Sequence, residues 1–460
     1  MELQGAVRTG TRFRPRHQPS LRCDPRAQRA QGVRPHTRAS WLLSVLDVLV
    51  APLAMTCVLA AAGPLKAEEL QPSSLLSEPT DFTRVLDAFE RGALPDVSIA
   101  LSYRRTDLNA TIEQEASVPG HTISGSYVPV ARSHQITNAL SLELGVGLFR
   151  DLMVFTRLPL VLSDTRSLSA AQGGVAVPEL FDLPYKSTTR SGVQGLDFGV
   201  AWGVANQYRT PYLPTWVVSV ETRVGLGKLL RPCSDAAACT SGLNRGTATI
   251  ELGSRWSYRV HWIEPYLGLR YVHEWATAAS ENFAPHGDLP GYVDSSPPNM
   301  QELTLGAAFV AWEDRARFQR LSIDVRGFAE YISAGRDYSS LFDALGTSTN
   351  SQLTAPYVSG AGAVNFNGLT NVASHARVAA EFALATQAAR YIRFRLGVAL
   401  SHVTAHLLTD ASPCGADVDG TCATERVNLL YRPIIDMPGQ RFLQSAALGY
   451  DLFANATGEF

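Results

Sequence analysis

The sequence predicts an all-β protein, a twelve-stranded antiparallel transmembrane β-barrel with long extracellular loops and short periplasmic turns. Three observations carry this expectation: a leader of the exported type, twelve segments of apolar–polar alternation, and links that alternate between short and long. The composition agrees. Of 460 residues, 45% are hydrophobic and 18% charged, a charged share below the roughly 25% usual for soluble domains.

The leader occupies residues 1–67. Residues 1–40 hold nine arginines and no lysine, Trp41 to Leu65 is apolar apart from Asp47, and Lys66-Ala67 precedes Glu68-Glu69. A basic flank, an apolar stretch and a small-residue exit make a secretory signal peptide. Asp47 and Pro52 speak against the alternative, a retained membrane anchor. The flank is long for a signal, so the Arg/Pro-rich segment 1–32 also reads as a misread start, with translation beginning near Val33. Cleavage after Ala67 leaves 30 basic against 39 acidic residues. Such an acidic product argues against nucleic acid as a partner, because affinity there begins with phosphate neutralisation.

Period-two alternation dominates residues 96–453. Val97, Ile99, Leu101 and Tyr103 alternate with Ser98, Ala100, Ser102 and Arg104, and Leu140, Leu142 and Leu144 alternate with Ser141, Glu143 and Gly145. Successive strand residues point to opposite faces, so each segment has one greasy and one polar side. The segments lie near 96–105, 134–148, 152–164, 195–205, 214–227, 246–260, 265–275, 301–312, 318–332, 371–385, 391–403 and 441–453. Five links are short (149–151, 206–213, 261–264, 313–317 and 386–390) and the six between them are long. An outer-membrane barrel has this asymmetry, with both chain ends on the short-turn side. Trp216, Trp256, Tyr258 and Tyr391 fall near the short-turn ends, and Tyr103, Tyr271 and Tyr331 near the loop ends, where interface aromatics belong. A soluble β-sandwich also alternates, but its strands are shorter and its loops do not sort by end.

Two pieces fall outside the predicted barrel. In 68–95, a periplasmic or plug segment, Phe82, Val85, Leu86 and Phe89 follow Thr80-Asp81 at helical spacing, which predicts a short capped helix. Residues 454–460 read as a C-terminal tail ending in Phe460.

The cysteines of the exported chain pair locally. Cys233 with Cys239, and Cys414 with Cys422, predict two loop-closing disulfides. Asp417-Val418-Asp419-Gly420 lacks the spacing and closing glutamate of an EF-hand and reads as a surface turn. Catalytic signatures are missing: Thr277 stands where a metalloprotease would place its second histidine after His273-Glu274, and no histidine lies two residues before a serine. The expectation is therefore a non-enzyme with no cofactor and no metal.

The polar face carries the remaining candidates: Arg104, Glu143, Arg157, Asp197, Glu221, Arg223, Glu251, Arg255, Arg270, Asp324, Arg326, Arg377, Glu381, Arg393 and Arg395. With Glu274, Glu302, Glu330 and Asp451, they interleave both signs around a wet lumen. Most of them read as a structural ion-pair lattice, and some as the lining of a pathway. Inward glycines, among them Gly145, Gly199, Gly268, Gly306 and Gly397, leave room beside these long side chains.

Four motifs resemble one family. They are Leu144-Gly145-Val146-Gly147-Leu148-Phe149-Arg150-Asp151, Arg157-Leu158-Pro159-Leu160-Val161, Gly192-Val193-Gln194-Gly195-Leu196-Asp197-Phe198-Gly199 and Arg223-Val224-Gly225-Leu226-Gly227. Together they resemble the outer-membrane barrel family associated with the meta-pathway of phenol degradation, although its usual Pro-Thr-Gly is missing at the last position. The resemblance implies a transporter of small, aromatic solutes, with which the charged polar face sits awkwardly.

The functional expectation is an outer-membrane channel or transporter for passive or gated passage of small solutes. Phe342, Leu345, Tyr357 and Phe366 within 333–370 predict a loop that folds inward as a constriction. The alternative is a non-conducting scaffold that presents disulfide-closed loops to a partner. Expected partners are outer-membrane lipids, the outer-membrane assembly machinery and small solutes.

Overall fold

A computed structural model describes residues 81–86, 96–116, 126–177, 179–237, 239–277, 282–283, 295–354, 366–389, 391–414 and 428–460. The chain divides into two compact units, Met1–Gly63 with Cys414–Val427 and Pro64–Pro413 with Asn428–Phe460. Of the first, only Cys414 is described, and it is disulfide-bonded. The leader, Phe89, Tyr357, Asp417 to Gly420 and Cys422 lie outside the described residues.

The second unit is the barrel. Its long strands are β1 (Val97–Glu115), β2 (Tyr127–Phe149), β3 (Leu152–Ala170), β4 (Gly195–Ala205), β5 (Thr215–Gly225), β6 (Thr247–Ser257), β7 (Ile263–Ala276), β8 (Met300–Asp314), β9 (Gln319–Ile332), β10 (His375–Ala389), β11 (Ile392–Val403) and β12 (Ala447–Glu459). Each pairs antiparallel with the next, and β12 pairs with β1 to close the ring. The expected alternation decides the faces. Leu101, Leu144, Phe198, Leu252, Leu269, Phe382, Leu396 and Leu452 are exposed on the outside, while Asp197, Asp324, Glu381 and Asp451 are buried on the inside. Trp262, Trp312 and Tyr391 are exposed at the short-turn end, and Tyr103, Tyr271 and Tyr331 at the loop end. An apolar outside, a polar inside, a closed hydrogen-bonded ring and short turns at one end place the chain in the outer membrane. Among the described residues no helix is long and apolar enough to cross a membrane.

Several boundaries differ from the sequence expectation. The first three strands run 19, 23 and 19 residues, because Arg104–Glu115, Tyr127–Ser133 and Thr165–Ala170 stay paired although their outward side is polar. Residues 454–460 are not a tail. β12 ends at Glu459, its outward positions simply shrinking to Ala454, Ala456 and Gly458, and Phe460 exchanges backbone hydrogen bonds with Val97. The expected strand at 441–453 starts too early, since Phe442–Gln444 is a separate short strand on the upper part of β1. Thr370–Val372 likewise belongs to a small hairpin with Gly335–Asp337 rather than to β10. Residues 81–86 form a bend and a turn instead of the start of a helix.

The apolar core sits inside the loop-end mouth. Ile112, Val130, Ala131 and Leu168 of β1–β3 pack against Leu180 and Phe181 after β3, Leu341, Leu345 and Leu353 after β9, and Leu408, Ile435 and Phe442 after β11. Among the described residues three short helices shape these loops: α1 (Phe342–Gly346), α2 (Ser351–Thr354) and α3 (Pro433–Asp436).

Candidate functional site

A belt of alternating charge lines the interior. Strand register brings Glu143, Arg157, Asp197 and Arg223 to successive positions from β2 to β5. Arg157 donates to Glu143 at 2.9 Å and to Glu221 at 3.0 Å, and Arg223 grips Asp197 with two bonds of 2.6 and 3.0 Å. Arg270 continues the belt to Glu251 at 3.2 Å and Glu302 at 2.6 Å. Arg377 bridges Glu330 at 3.5 Å and Asp451 at 3.7 Å, and Arg104 reaches Asp451 at 3.4 Å. Arginine suits these contacts because its planar fork serves two carboxylates on neighbouring strands.

Nearer the short-turn end the interior is filled. Asp324, Arg326, Glu381 and Arg395 form a closed four-membered cluster, with Arg395 at 2.6 Å from both acids. Arg393 pairs with Asp81 and Glu459, and Arg84 reaches Glu459 at 2.6 Å. Arg255 differs from the other candidates: it donates to the Phe82 carbonyl at 3.0 Å and lies 6.0 Å from that ring. The expectation that inward glycines open the lumen is corrected here, because aromatic rings occupy the space. A β-carbon would meet Phe155 at Gly199, Phe82 at Gly268, Tyr266 at Gly306 and Phe453 at Gly397, all within 2.4 Å.

Residues 81–86 therefore sit inside this end of the barrel. Phe82 stacks on Tyr266 at 4.5 Å, Thr83 shares a hydrogen bond of 2.7 Å with Ser257, and Leu86 is buried.

The loop end is closed by a different device. Arg190, after β3, and Asp343, in α1, form a fully buried ion pair across 153 positions of sequence. Asp343 also accepts from the Cys233 backbone N–H at 3.0 Å, and Arg190 donates to Ser241 at 2.8 Å and to the Arg231 carbonyl at 3.2 Å. Cys233 is disulfide-bonded to Cys239, with Cα atoms 6.1 Å apart. Three loops thus meet at one carboxylate. The inward fold expected of the 333–370 loop holds for Phe342 and Leu345, both buried.

Beneath the folded loops lies a cavity of about 540 Å³. Its walls include Arg104, Thr106, Ala139, Val161, Asp164 and Arg166 of β1–β3, Arg245, Asp337 and Tyr338 from loops, and a parallel His375–His406 stack 3.9 Å apart. Arg245 binds Asp337 at 2.7 Å and Glu274 at 3.1 Å. Burial works against its charge, yet those two carboxylates hold its pKa above the ordinary value. Burial pushes the Tyr338 hydroxyl up to about 12. It lowers His406 to about 4, with the His375 ring beside it adding to the shift.

Sequence reading missed Arg190, Asp343, Arg84, Asp164 and Arg245. Arg190, Asp343 and Arg245 find partners in other loops, Arg84 finds one on the last strand, and Asp164 lies at the end of its predicted segment beside Gln135, Thr137 and Arg166.

No family model matches this chain, and no curated protein matches it. The resemblance drawn from Leu142 to Gly227 stays a resemblance. Among solved structures, an outer membrane channel from Pseudomonas putida F1 matches at 9% identity over 83% of this chain and 99% of its own, with a TM-score of 0.39. A Pseudomonas aeruginosa FadL homologue matches at 8% identity over 79% and 90%, TM-score 0.33. The outer membrane protease OmpT from Escherichia coli matches at 6% over 79% and 97%, TM-score 0.28. Likeness this distant decides neither activity nor cargo, and the barrel rests on its own register.

Proposed function

We propose that the protein is an outer-membrane channel for small polar or amphipathic solutes, closed in the state described. The observation that carries this reading is the polar-walled cavity of about 540 Å³ on the inner face of the barrel, beneath the folded loops. A barrel that served only as a support would need no polar chamber beneath folded loops. The charged belt keeps the interior wet and sets selectivity by sign and size. Passage requires both closures to yield, so conduction should be rare and small in the resting protein.

One observation favours the scaffold alternative: Arg190, Asp343 and the Cys233–Cys239 bridge hold three loops as one rigid surface. Bilayer recordings separate the two. The channel reading expects brief openings in the intact protein, and a large gain when residues 81–86 and the α1–α2 segment are both removed. A folded barrel that stays silent in both forms leaves the scaffold reading.

A further inference from the structure

We infer that the cavity is a resting site for a small amphipathic organic anion, whose carboxylate is held by Arg104. This rests on the channel reading only for how the ligand arrives. Among the described residues three guanidiniums line the cavity, and two of them are matched. Arg166 bonds Asp164 at 3.0 Å, and Arg245 bonds Asp337 at 2.7 Å. Arg104 has one longer contact, 3.4 Å to Asp451, and that carboxylate already accepts from Thr106 at 2.5 Å and neighbours Arg377 at 3.7 Å.

Exposure sharpens the contrast. The Arg104 side chain is 50% exposed, while Asp451 and Asp164 behind the wall are 3% exposed. The wall therefore presents a cation with free donors to the chamber, while Asp451 and Asp164 lie behind it and Asp337, 24% exposed, is held by Arg245. Phe453 lies 5.5 Å from the guanidinium and fixes its height.

Register places an apolar floor beside it. Arg104 pairs with Ala139, and Ala139 with Val161, so the next two strands carry a methyl and an isopropyl group on the same row. At about 4.8 Å per strand, the row offers roughly 10 Å of apolar surface leading away from the cation. One row nearer the loops, Thr106, Thr137 and Asp164 form a polar edge. A charged head with a short carbon body fits this arrangement, and a cation does not. Charge-assisted hydrogen bonds to an arginine fork supply the preference for an oxyanion.

The test is calorimetric titration of the full, detergent-solubilised protein with hexanoate, 1-hexanol and hexylammonium after overnight equilibration. Hexanoate should bind about tenfold or more tightly than either analogue, the share of one charge-assisted hydrogen bond. Arg104→Gln should bring hexanoate down to the level of hexanol, and Arg104→Lys should keep part of the preference. Heat-modifiable migration on gels checks that each variant is a closed barrel. If the glutamine variant does not close, loss of all preference in the lysine variant would count against the site. Equal binding of hexanoate and hexanol by the native protein, or an unchanged preference in Arg104→Gln, overturns the inference. Binding without conduction would remove the channel reading and leave this site standing; conduction without the preference would do the reverse.

Discussion

The two ends of the lumen are closed by unlike materials. At the loop end, side chains from three loops and three strands make an apolar core, pinned by a buried ion pair and backed by a disulfide. At the short-turn end, the described segment is six residues held by one aromatic socket, a buried and a half-exposed ion pair and a hydroxyl contact. A core of that kind opens cooperatively, because each loop buries its neighbours. A short segment held by separate contacts can leave one contact at a time. The lower closure should thus open far more often than the upper, and solute release to the periplasm should be easier than uptake from outside.

The sharpest way to break this comparison is at Asp343. Asp343→Leu leaves Arg190 charged and unpaired in an apolar core, a loss of about 3–5 kcal/mol to the loop closure. Hydrogen exchange over 341–353 should accelerate accordingly while the strands stay protected. Pairing it with Arg190→Met should recover most of the protection, since replacing a whole buried pair is often close to neutral. A single mutant with native protection would mean the ion pair does not hold the loops.

The lower closure should respond less. Phe82 is only half-buried, so Phe82→Ala should loosen 81–86 by about 2 kcal/mol, under the range for fully buried rings. Gly268→Val should act in the same direction without touching the segment, because a β-carbon there meets the Phe82 ring at 2.4 Å. Exchange rates of 81–86 read both. If these variants disturb the lower end more than Asp343→Leu disturbs the upper, the ranking of the closures is reversed.

Acidity should move the upper closure through two buried groups. Burial raises the Asp436 carboxyl to about 7, against hydrogen bonds from the Arg432 and Ala411 backbones that favour its charge. A carboxyl with a raised folded pKa binds more protons folded than unfolded, so its contribution falls as pH rises from about 4 to about 7. His406, lowered to about 4, acts the opposite way, losing stability as pH falls through its ordinary range toward 4. Asp436→Asn should therefore abolish the weakening of 428–442 as pH rises from about 4 to about 7, read by exchange corrected for its intrinsic pH dependence, and leave the opposite weakening as pH falls toward 4. The smallest effect is expected from Cys239→Ser. Opening a seven-residue loop costs at most about 2 kcal/mol, and most of it falls on the loop itself. Faster proteolysis within 226–246, with unchanged barrel assembly, is the expected readout.

The barrel was legible wherever one face is greasy and the other polar. Leu140 to Leu148 and Leu396 to Leu400 declare both strand and facing, and every predicted segment contains or overlaps a strand except in its limits. Where the outward face turns polar and the inward one apolar the signal is lost, which is why 106–115 read as loop although it is the upper half of β1. The charged belt followed from the same alternation, since Arg157 and Glu143 share a row once β2 and β3 are set in register. The closures were only partly visible. Phe342 and Leu345 marked a loop that turns inward, but their anchor, Arg190, sits in an unremarkable Thr-Thr-Arg-Ser stretch. The helical spacing that begins at Phe82 did not show its role: the Phe82 ring points at a socket in the barrel wall, stacked on Tyr266 beside Arg255 and Arg326.

The arrangement of Arg84 bears on when the barrel becomes complete. Glu459, its partner, lies at the end of the last strand, 375 positions away, and Arg393 joins the same carboxylate from the strand before. These groups come together only after β12 has zipped along β1, the longest-range pairing in the chain and so the slowest to form. Until then the 81–86 segment has neither its ion pair nor, with the cylinder still open, a walled chamber to occupy. Seating of that segment and sealing of the seam are thus one event, and a barrel carrying Arg84→Ala should seal with the segment left outside in part of the population, a folding error visible as two bands of different heat-modifiability.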